Sequence, residues 1–327
     1  MVTAFIRVTS AVTLSLSLTA AYSDDFDYEF RIGYDATDST AAFGFATIPP
    51  VGGIAITDSD GATLRLAGTW FYGGLSDDKG PRTRAEFLDR ASSLSLGLSF
   101  TETDTSTVEA GPPAPLLPPQ ILIEGTTSDD EYGFAVRHVW RDSGYIVNVS
   151  VSRGEAEGAA TSLFGAPATT VEFDADIDET TYTIGFGYYL SQATAVVLSY
   201  ARIDTDVAFG GEADVDVWSA NLTHVAELNA DWHYAIDASV GRSDAEFNDS
   251  DVLTINASLL PGNDIEFGVG LSREEPEFGG DIDSRRLFGR WFIRNNIELE
   301  AAFVQIEQRG FPGFDTDVAS VGVNARF

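Results

Sequence analysis

The sequence contains no cysteine. Disulfides and thiolate metal sites are thereby excluded. Methionine occurs once, at position 1. Basic residues are scarce: 19 Lys and Arg stand against 51 Asp and Glu, a formal net charge of -32. That balance excludes nucleic acid as a partner, since phosphates demand a basic surface. No stretch approaches the roughly 20 apolar residues of a membrane-spanning helix. A chain that crosses a bilayer without such helices has to close into a barrel, because lipid offers unpaired backbone groups no partner.

What the sequence does have is alternation. In Val318–Phe327, Ala319, Val321, Val323, Ala325 and Phe327 share one parity, and Ser320, Gly322, Asn324 and Arg326 share the other. Successive strand side chains point to opposite faces, so this is one apolar and one polar face. Phe26, Tyr28, Phe30, Ile32 and Tyr34 alternate in the same way with Asp27, Glu29, Arg31 and Gly33. Leu94 to Phe100, Tyr182 to Tyr188 and Ile265 to Leu271 repeat the pattern against small, hydroxylic or charged partners. Strands are predicted at 25–35, 61–74, 91–103, 130–141, 144–154, 177–190, 194–205, 214–228, 231–243, 251–260, 264–273, 283–294, 296–307 and 317–327. That is about 14, an even number as bacterial barrels require.

Connection lengths alternate as well. Short links at 142–143, 191–193, 229–230, 261–263 and 295 take turns with longer ones at 36–60, 104–129, 155–176, 206–213, 244–250, 274–282 and 308–316. Periplasmic turns and extracellular loops of an outer-membrane barrel behave this way. Residues 1–23, with Arg7 ahead of an apolar core and small residues at Ala21 and Ser23, read as a secretory signal peptide. Residues 24–327 then form a single barrel domain. The closing strand resembles the C-terminal strand that outer-membrane barrels present to their assembly machinery, which makes Phe327 the expected assembly signal.

One link breaks the alternation. Residues 75–90 should be a short turn but span sixteen positions. Trp70, Phe71 and Tyr72, then Gly80-Pro81, then Ala85-Glu86-Phe87-Leu88 resemble a segment found in porin-like chains of gammaproteobacteria. Arg82 and Thr83 stand where that group has Leu and Ala. The resemblance covers about 35 residues and implies a short helix with Phe87 and Leu88 tucked against the base of the barrel.

The parities also assign the lumen. Inward positions carry Glu29 and Arg31 in the first strand, Arg65 in the second, Arg137 in the fourth, and His233 and Asp237 in the ninth. Glu266 follows in the eleventh, Arg286, Arg290 and Arg294 in the twelfth, Glu298 and Glu300 in the thirteenth, and Arg326 in the last. A basic strand thus lies between two acidic ones. Arg290 faces Glu300 in one register, and Arg294 faces Glu298 in the alternative. Opposite charges across a sheet contribute roughly 0.2–1 kcal/mol each, so this ladder serves neutralisation and a transverse field equally.

Catalysis is not expected. His138, His224 and His233 show neither the His-x-Ser arrangement of barrel deacylases nor a local phospholipase spacing. No cofactor is expected. Asp58-Ser59-Asp60-Gly61 looks like half a calcium loop without its downstream Glu. Asp174, Asp176 and Asp178 are weak metal candidates that read better as solvated loop carboxylates.

Taken together, the sequence predicts an all-β transmembrane antiparallel barrel in the outer membrane of a Gram-negative bacterium. Its partners would be membrane lipid and lipopolysaccharide, the assembly machinery, and small hydrophilic solutes diffusing passively. The acidic loops predict a preference for cations. Loops 36–60 and 104–129 are the ones expected to narrow the bore. The alternative function is a non-conducting barrel with a structural or adhesive role. Association into a homotrimer is left open.

Overall fold

Every one of the alternating stretches forms a strand. In the computed structural model, the residues described are 25–46, 52–76, 79–110, 120–164, 169–207, 211–245, 248–277, 279–294, 296–309 and 313–326. The signal segment and Phe327 lie outside them. The strands are β1 (Asp25–Ala46), β2 (Gly52–Ser76), β3 (Ser93–Ala110), β4 (Gln120–Val139), β5 (Tyr145–Phe164), β6 (Thr169–Tyr189) and β7 (Thr194–Val207). They continue as β8 (Gly211–Asn229), β9 (Trp232–Ala245), β10 (Ser250–Pro261), β11 (Ile265–Pro276), β12 (Ile282–Arg294), β13 (Ile297–Gln308) and β14 (Gly313–Arg326). Each pairs antiparallel with its sequence neighbours, and β1 pairs with β14, so the sheet closes into a barrel with no free edge. At the closure Tyr34 stands opposite Val321 and Phe30 opposite Ala325, which joins the two terminal apolar faces.

The outside of this barrel is apolar. Tyr28, Phe30, Ile32 and Tyr34 on β1 are exposed, as are Leu96, Leu98 and Phe100 on β3 and Phe267, Val269 and Leu271 on β11. A closed wall with an apolar exterior and internally paired backbone is the solution a bilayer demands. The upper edge of the band is marked on the same face by charge. Above Val149 and Val151 comes Arg153, above Ile236 and Val240 comes Arg242, and above Leu271 comes Arg273. Each pairs with a carboxylate: Arg153 with Asp178 at 3.3 Å, Arg242 with Asp249 at 3.0 Å, and Arg273 with Asp281. Lipid-facing charge is tolerated only toward the interfaces, so this belt marks where the hydrocarbon ends.

The wall is taller on one side. Strands β1 to β6 run 18 to 25 residues, whereas β9 to β14 run 12 to 14. A membrane crossing needs about 9–11 tilted residues, so the first six project well past the bilayer. Here the expectation for the long connections is corrected. The described parts of 36–60 and 104–129 do not fold into the bore; they continue the ladder, with Asp38 opposite Asp60 and Thr105 opposite Gly125. The physical cause is their own sequence. Thr101 to Thr107 alternates threonine with acidic and hydroxylic residues, and β-branched side chains favour the extended chain. Extending the hairpin also pairs backbone groups that a collapsed loop would leave unsatisfied.

At the other end the connections are short, as at 140–144, 190–193 and 262–264. The exception lies between β2 and β3. There a 3₁₀ turn (Arg82–Arg84) leads into a single helical turn, α1 (Ala85–Leu88).

Candidate functional site

The segment 79–91 carries too much side chain for a turn and uses it to bridge the base of the lumen. Pro81 is buried and starts the 3₁₀ turn, where its missing N–H costs nothing. Gly80 has φ +149°, and a Cβ there would meet Leu88 Cδ1 at 2.8 Å, so the segment folds tightly onto itself. α1 is closed by Asp89 as its C-cap and then by Arg90, whose φ of 53° is the left-handed conformation usually given to glycine just past a helix end. Arg90 stays there because its side chain is held. Its guanidinium donates to the carbonyls of Arg141 (3.0 Å) and Ser191 (3.4 Å) and lies 4.6 Å from the centroid of the Tyr189 ring.

Two apolar anchors seat the helix. Phe87 packs on Val139, Ile146, Tyr189 and Ala195, and also reaches the Val225–Ala235–Leu260 group that Leu88 covers. The Tyr189 hydroxyl donates to the Phe87 carbonyl at 2.9 Å. Ionic anchors then fasten the segment across the barrel. Arg82 pairs with Asp264 at 2.7 Å, and its N–H donates to Asn263 at 2.9 Å. Arg84 pairs with Asp237 at 2.9 Å and with Glu266 at 2.6 Å. Burial works against the Arg84 charge, but Glu266 and Asp237 outweigh it and raise its pKa. Asp89 receives both Arg141, at 3.0 Å, and Lys79, the only lysine of the sequence. Glu86 faces Arg137 at 3.8 Å. Burial pushes its carboxyl above the usual range, against the pull of Arg137 and Arg326. The segment therefore spans from β4 and β6 to β9, β11 and β14.

The inward residues predicted from parity divide into two groups. Arg137, Asp237 and Glu266 line the lumen but hold the bridging segment, with Glu266 fully buried beneath Arg84 and Ser258. His233 faces inward opposite Leu260 in the same region. Glu29, opposite Arg326 in register, is fully buried, and neither of its oxygens has a hydrogen-bond partner among the described residues. Glu298 is buried and accepts from Asn324 at 2.8 Å. Arg31, Arg65, Arg286, Arg290 and Glu300 line the lumen above the segment.

Their pairing differs from a simple ladder. Arg290 does stand opposite Glu300, but Glu300 pairs with Arg31, two strands away, and Arg290 reaches Glu266 at 3.9 Å. Gly322 explains the crossing. It stands opposite Glu300 on one side and Gly33 on the other, one rung from Arg31, and a Cβ there would meet the Glu300 carboxylate at 2.6 Å, so the absent side chain leaves the path to Arg31 open. The alternative register, Arg294 with Glu298, is overturned. A bulge between Phe292 and Arg294 sets Arg294 opposite Ile297, exposed at the short-turn rim and out of the inward file. Arg65 pairs with Asp35. Arg326 lies over the Phe292 ring, 4.2 Å from its centroid, and donates to the Arg82 carbonyl at 3.3 Å.

Elsewhere the inward wall is hydroxylic. Thr63 and Thr101 (3.0 Å), Thr69 and Ser95 (2.7 Å), and Thr254 and Ser272 (2.7 Å) pair across strands. The other histidines sit on the outer face: His138 between Tyr72 and Trp140, and His224 between Thr194 (2.8 Å) and Tyr234 (3.3 Å). Those two partners satisfy His224 with no register shift at its position. Asp176 and Asp178 project outward from β6, and the Asp174 side chain lies outside the described residues. Asp58 accepts from Thr40 at 3.0 Å within the ladder. Sequence reasoning placed Phe87 and Leu88 correctly but missed Arg82, Arg84, Glu86, Asp89 and Arg90 as the groups that fix the segment. The available signal was its length, with charges of both signs flanking two apolar residues.

No protein-family model matches the sequence, and no curated protein matches it. Solved structures do match the fold. The Acinetobacter baumannii outer-membrane protein Omp33 is 12% identical, with 94% of this chain and 100% of that one covered and a TM-score of 0.50. The Pseudomonas putida toluene transporter TodX is 11% identical over 92% of this chain and 90% of that one, with a TM-score of 0.52. A TodX variant, described as a monoaromatic hydrocarbon channel, reaches 0.56 at 11% identity, with 92% and 91% covered. The chain is a closed 14-strand barrel that resembles Gram-negative outer-membrane proteins.

Proposed function

We propose that this barrel is an outer-membrane channel for passive diffusion of small hydrophilic solutes, narrowed at its periplasmic end by the segment 79–91. The short-turn end is the periplasmic one, and the acidic hairpins of β1 to β6 face outward from the cell. The observation that carries the reading is the lumen: a closed wall whose inner face is Ser, Thr and paired charge, with an apolar face outside. Water and polar solutes partition into such a bore, and the backbone that encloses it needs no partner from lipid. Transfer involves no covalent step and no cofactor. The hydrocarbon cargo in the name of TodX is not carried over, because a hydroxylic lumen offers an apolar solute little. Membership of the porin-like group rests on the 70–88 resemblance and on the seating of Phe87 and Leu88.

The acidic hairpins raise the local cation concentration at the mouth, so the open channel favours cations. Reversal potentials in a salt gradient test this, and a clear anion preference would overturn it. Lipopolysaccharide is the natural neighbour of the outward Arg–carboxylate belt, and the barrel-assembly machinery that of β14. One observation favours a second reading. The same segment that narrows the base ties itself to opposite walls, as a permanently shut structural barrel would. Planar-bilayer recording separates the two: channels support diffusion, and their absence at high protein load supports the shut barrel.

A further inference from the structure

The lumen carries two charged poles that its own ion pairs leave unneutralised. The first is Arg286 on β12. It is open to the lumen, and no carboxylate lies within ion-pair distance of it among the described residues. The acids near it are committed: Asp35 to Arg65, Glu300 to Arg31, and Glu266 to Arg84 and Arg290. Its guanidinium stands 5.2 Å from the centroid of the Phe288 ring, which fixes it without cancelling its charge.

The second pole is Asp129 and Glu131 on β4 with Glu179 on β6. In register Gly154 stands between Glu131 and Glu179. Asp129 leans over the same glycine, its Oδ1 3.6 Å from the place a Cβ would take. Three carboxylates therefore converge where β5 has no side chain, and none has a cation within ion-pair distance among the described residues.

The topology sets these poles face to face. In a ring of fourteen strands β5 is diametrically opposite β12. Arg286 and Glu131 stand the same number of residues above the short-turn ends of their strands, Arg294 and Val139, with Asp129 and Glu179 one rung higher. Uncompensated charge costs stability in a neutralising ladder, so its retention at one level on opposite walls needs another use. A free anion suits only one pole and must first pass the acidic hairpins. A free cation meets Arg286 across the bore.

The geometry points to zwitterionic solutes, of the class of amino acids and short peptides, as the favoured cargo, with the carboxylate turned to Arg286 and the ammonium to Asp129, Glu131 and Glu179. This rests on the diffusion-channel reading and names its substrate class. A solute aligned with both poles recovers interaction on each side that an uncharged solute of equal size does not.

The test uses the full chain reconstituted in liposomes, with swelling rates measured for arabinose, 6-aminohexanoate and the uncharged 6-hydroxyhexanamide. The expected result is permeation by arabinose and a several-fold higher rate for 6-aminohexanoate than for 6-hydroxyhexanamide. Arg286→Gln, or Glu131→Gln with Glu179→Gln, should bring that ratio toward one, and Arg286→Lys should keep it. Arabinose permeation with equal rates for the two six-carbon solutes overturns the proposal alone. Failure of arabinose to permeate overturns the channel reading and the proposal with it.

Discussion

At the scale of single residues, the base of the barrel is held by charges that cannot be removed one at a time. Glu266 is fully buried and its charge is balanced by Arg84, 182 positions away in sequence yet at 2.6 Å. Arg84→Ala leaves that carboxylate without its closest cation. Breaking one side of a buried pair costs about 3–5 kcal/mol, so the urea midpoint of the folded barrel should fall sharply. Adding Glu266→Gln should return a good part of the loss, since the stranded charge goes with it. Equal midpoints for Arg84→Ala and the unmodified protein would show that the pair carries no weight. Gly322 makes a second residue-level case. Gly322→Ala puts a methyl where the Glu300 carboxylate passes to Arg31, and overpacking of this kind costs about 1–3 kcal/mol. These partners were only half legible in the sequence. Parity gave the inward face of Arg31, Arg290 and Glu300, but pairing across a glycine on the intervening strand depends on stagger, which alternation does not encode. Arg294 failed for a related reason: one bulge reverses the parity of whatever follows it.

At the scale of elements, the bridging segment 79–91 is where the proposed channel would open. Its seat combines a small apolar contact through Phe87 and Leu88 with ion pairs, and local openings are drawn from such lightly packed units. Glu86 couples it to pH. Arg137 and Arg326 face this carboxyl favourably; Glu29 faces it as another acid, and Tyr189 lies beside it. Burial raises the pKa of Glu86 in the docked state. Its contribution to docking is therefore full below the ordinary carboxylate range and is lost as pH rises through the raised value. Acidification should lengthen the closed dwell times of the channel, and Glu86→Gln should hold them at the acid value throughout. Closed times that lengthen with rising pH would contradict the assignment. The sequence signalled this element by its length alone, and the placement of Phe87 and Leu88 followed from the resemblance. Two of its ionic anchors, Asp237 and Asp264, lie more than 150 positions away, and nothing in a linear pattern joins Arg84 to Asp237. The same limit applied to the long hairpins. Thr101 to Thr107 alternates as plainly as any strand but lacks the apolar face by which the membrane part was recognised.

At the scale of the whole molecule, three properties follow from one closed sheet. The apolar exterior fixes it in a bilayer; in the proposed channel the hydroxylic interior would admit water and the tall acidic side would set the field at the mouth. The strand number, the short turns and the terminal pairing of β1 with β14 were readable because a barrel repeats one rule fourteen times. The central claim is that the bore conducts and that the segment 79–91 limits it. Single-channel conductance in planar bilayers tests this most directly, comparing the intact chain with one in which residues 79–90 are replaced by a two-residue turn. The account predicts small, interrupted openings for the intact chain and a several-fold larger, steady conductance once the segment is gone. Identical conductance in the two proteins, or silence in both at high protein load, would contradict it.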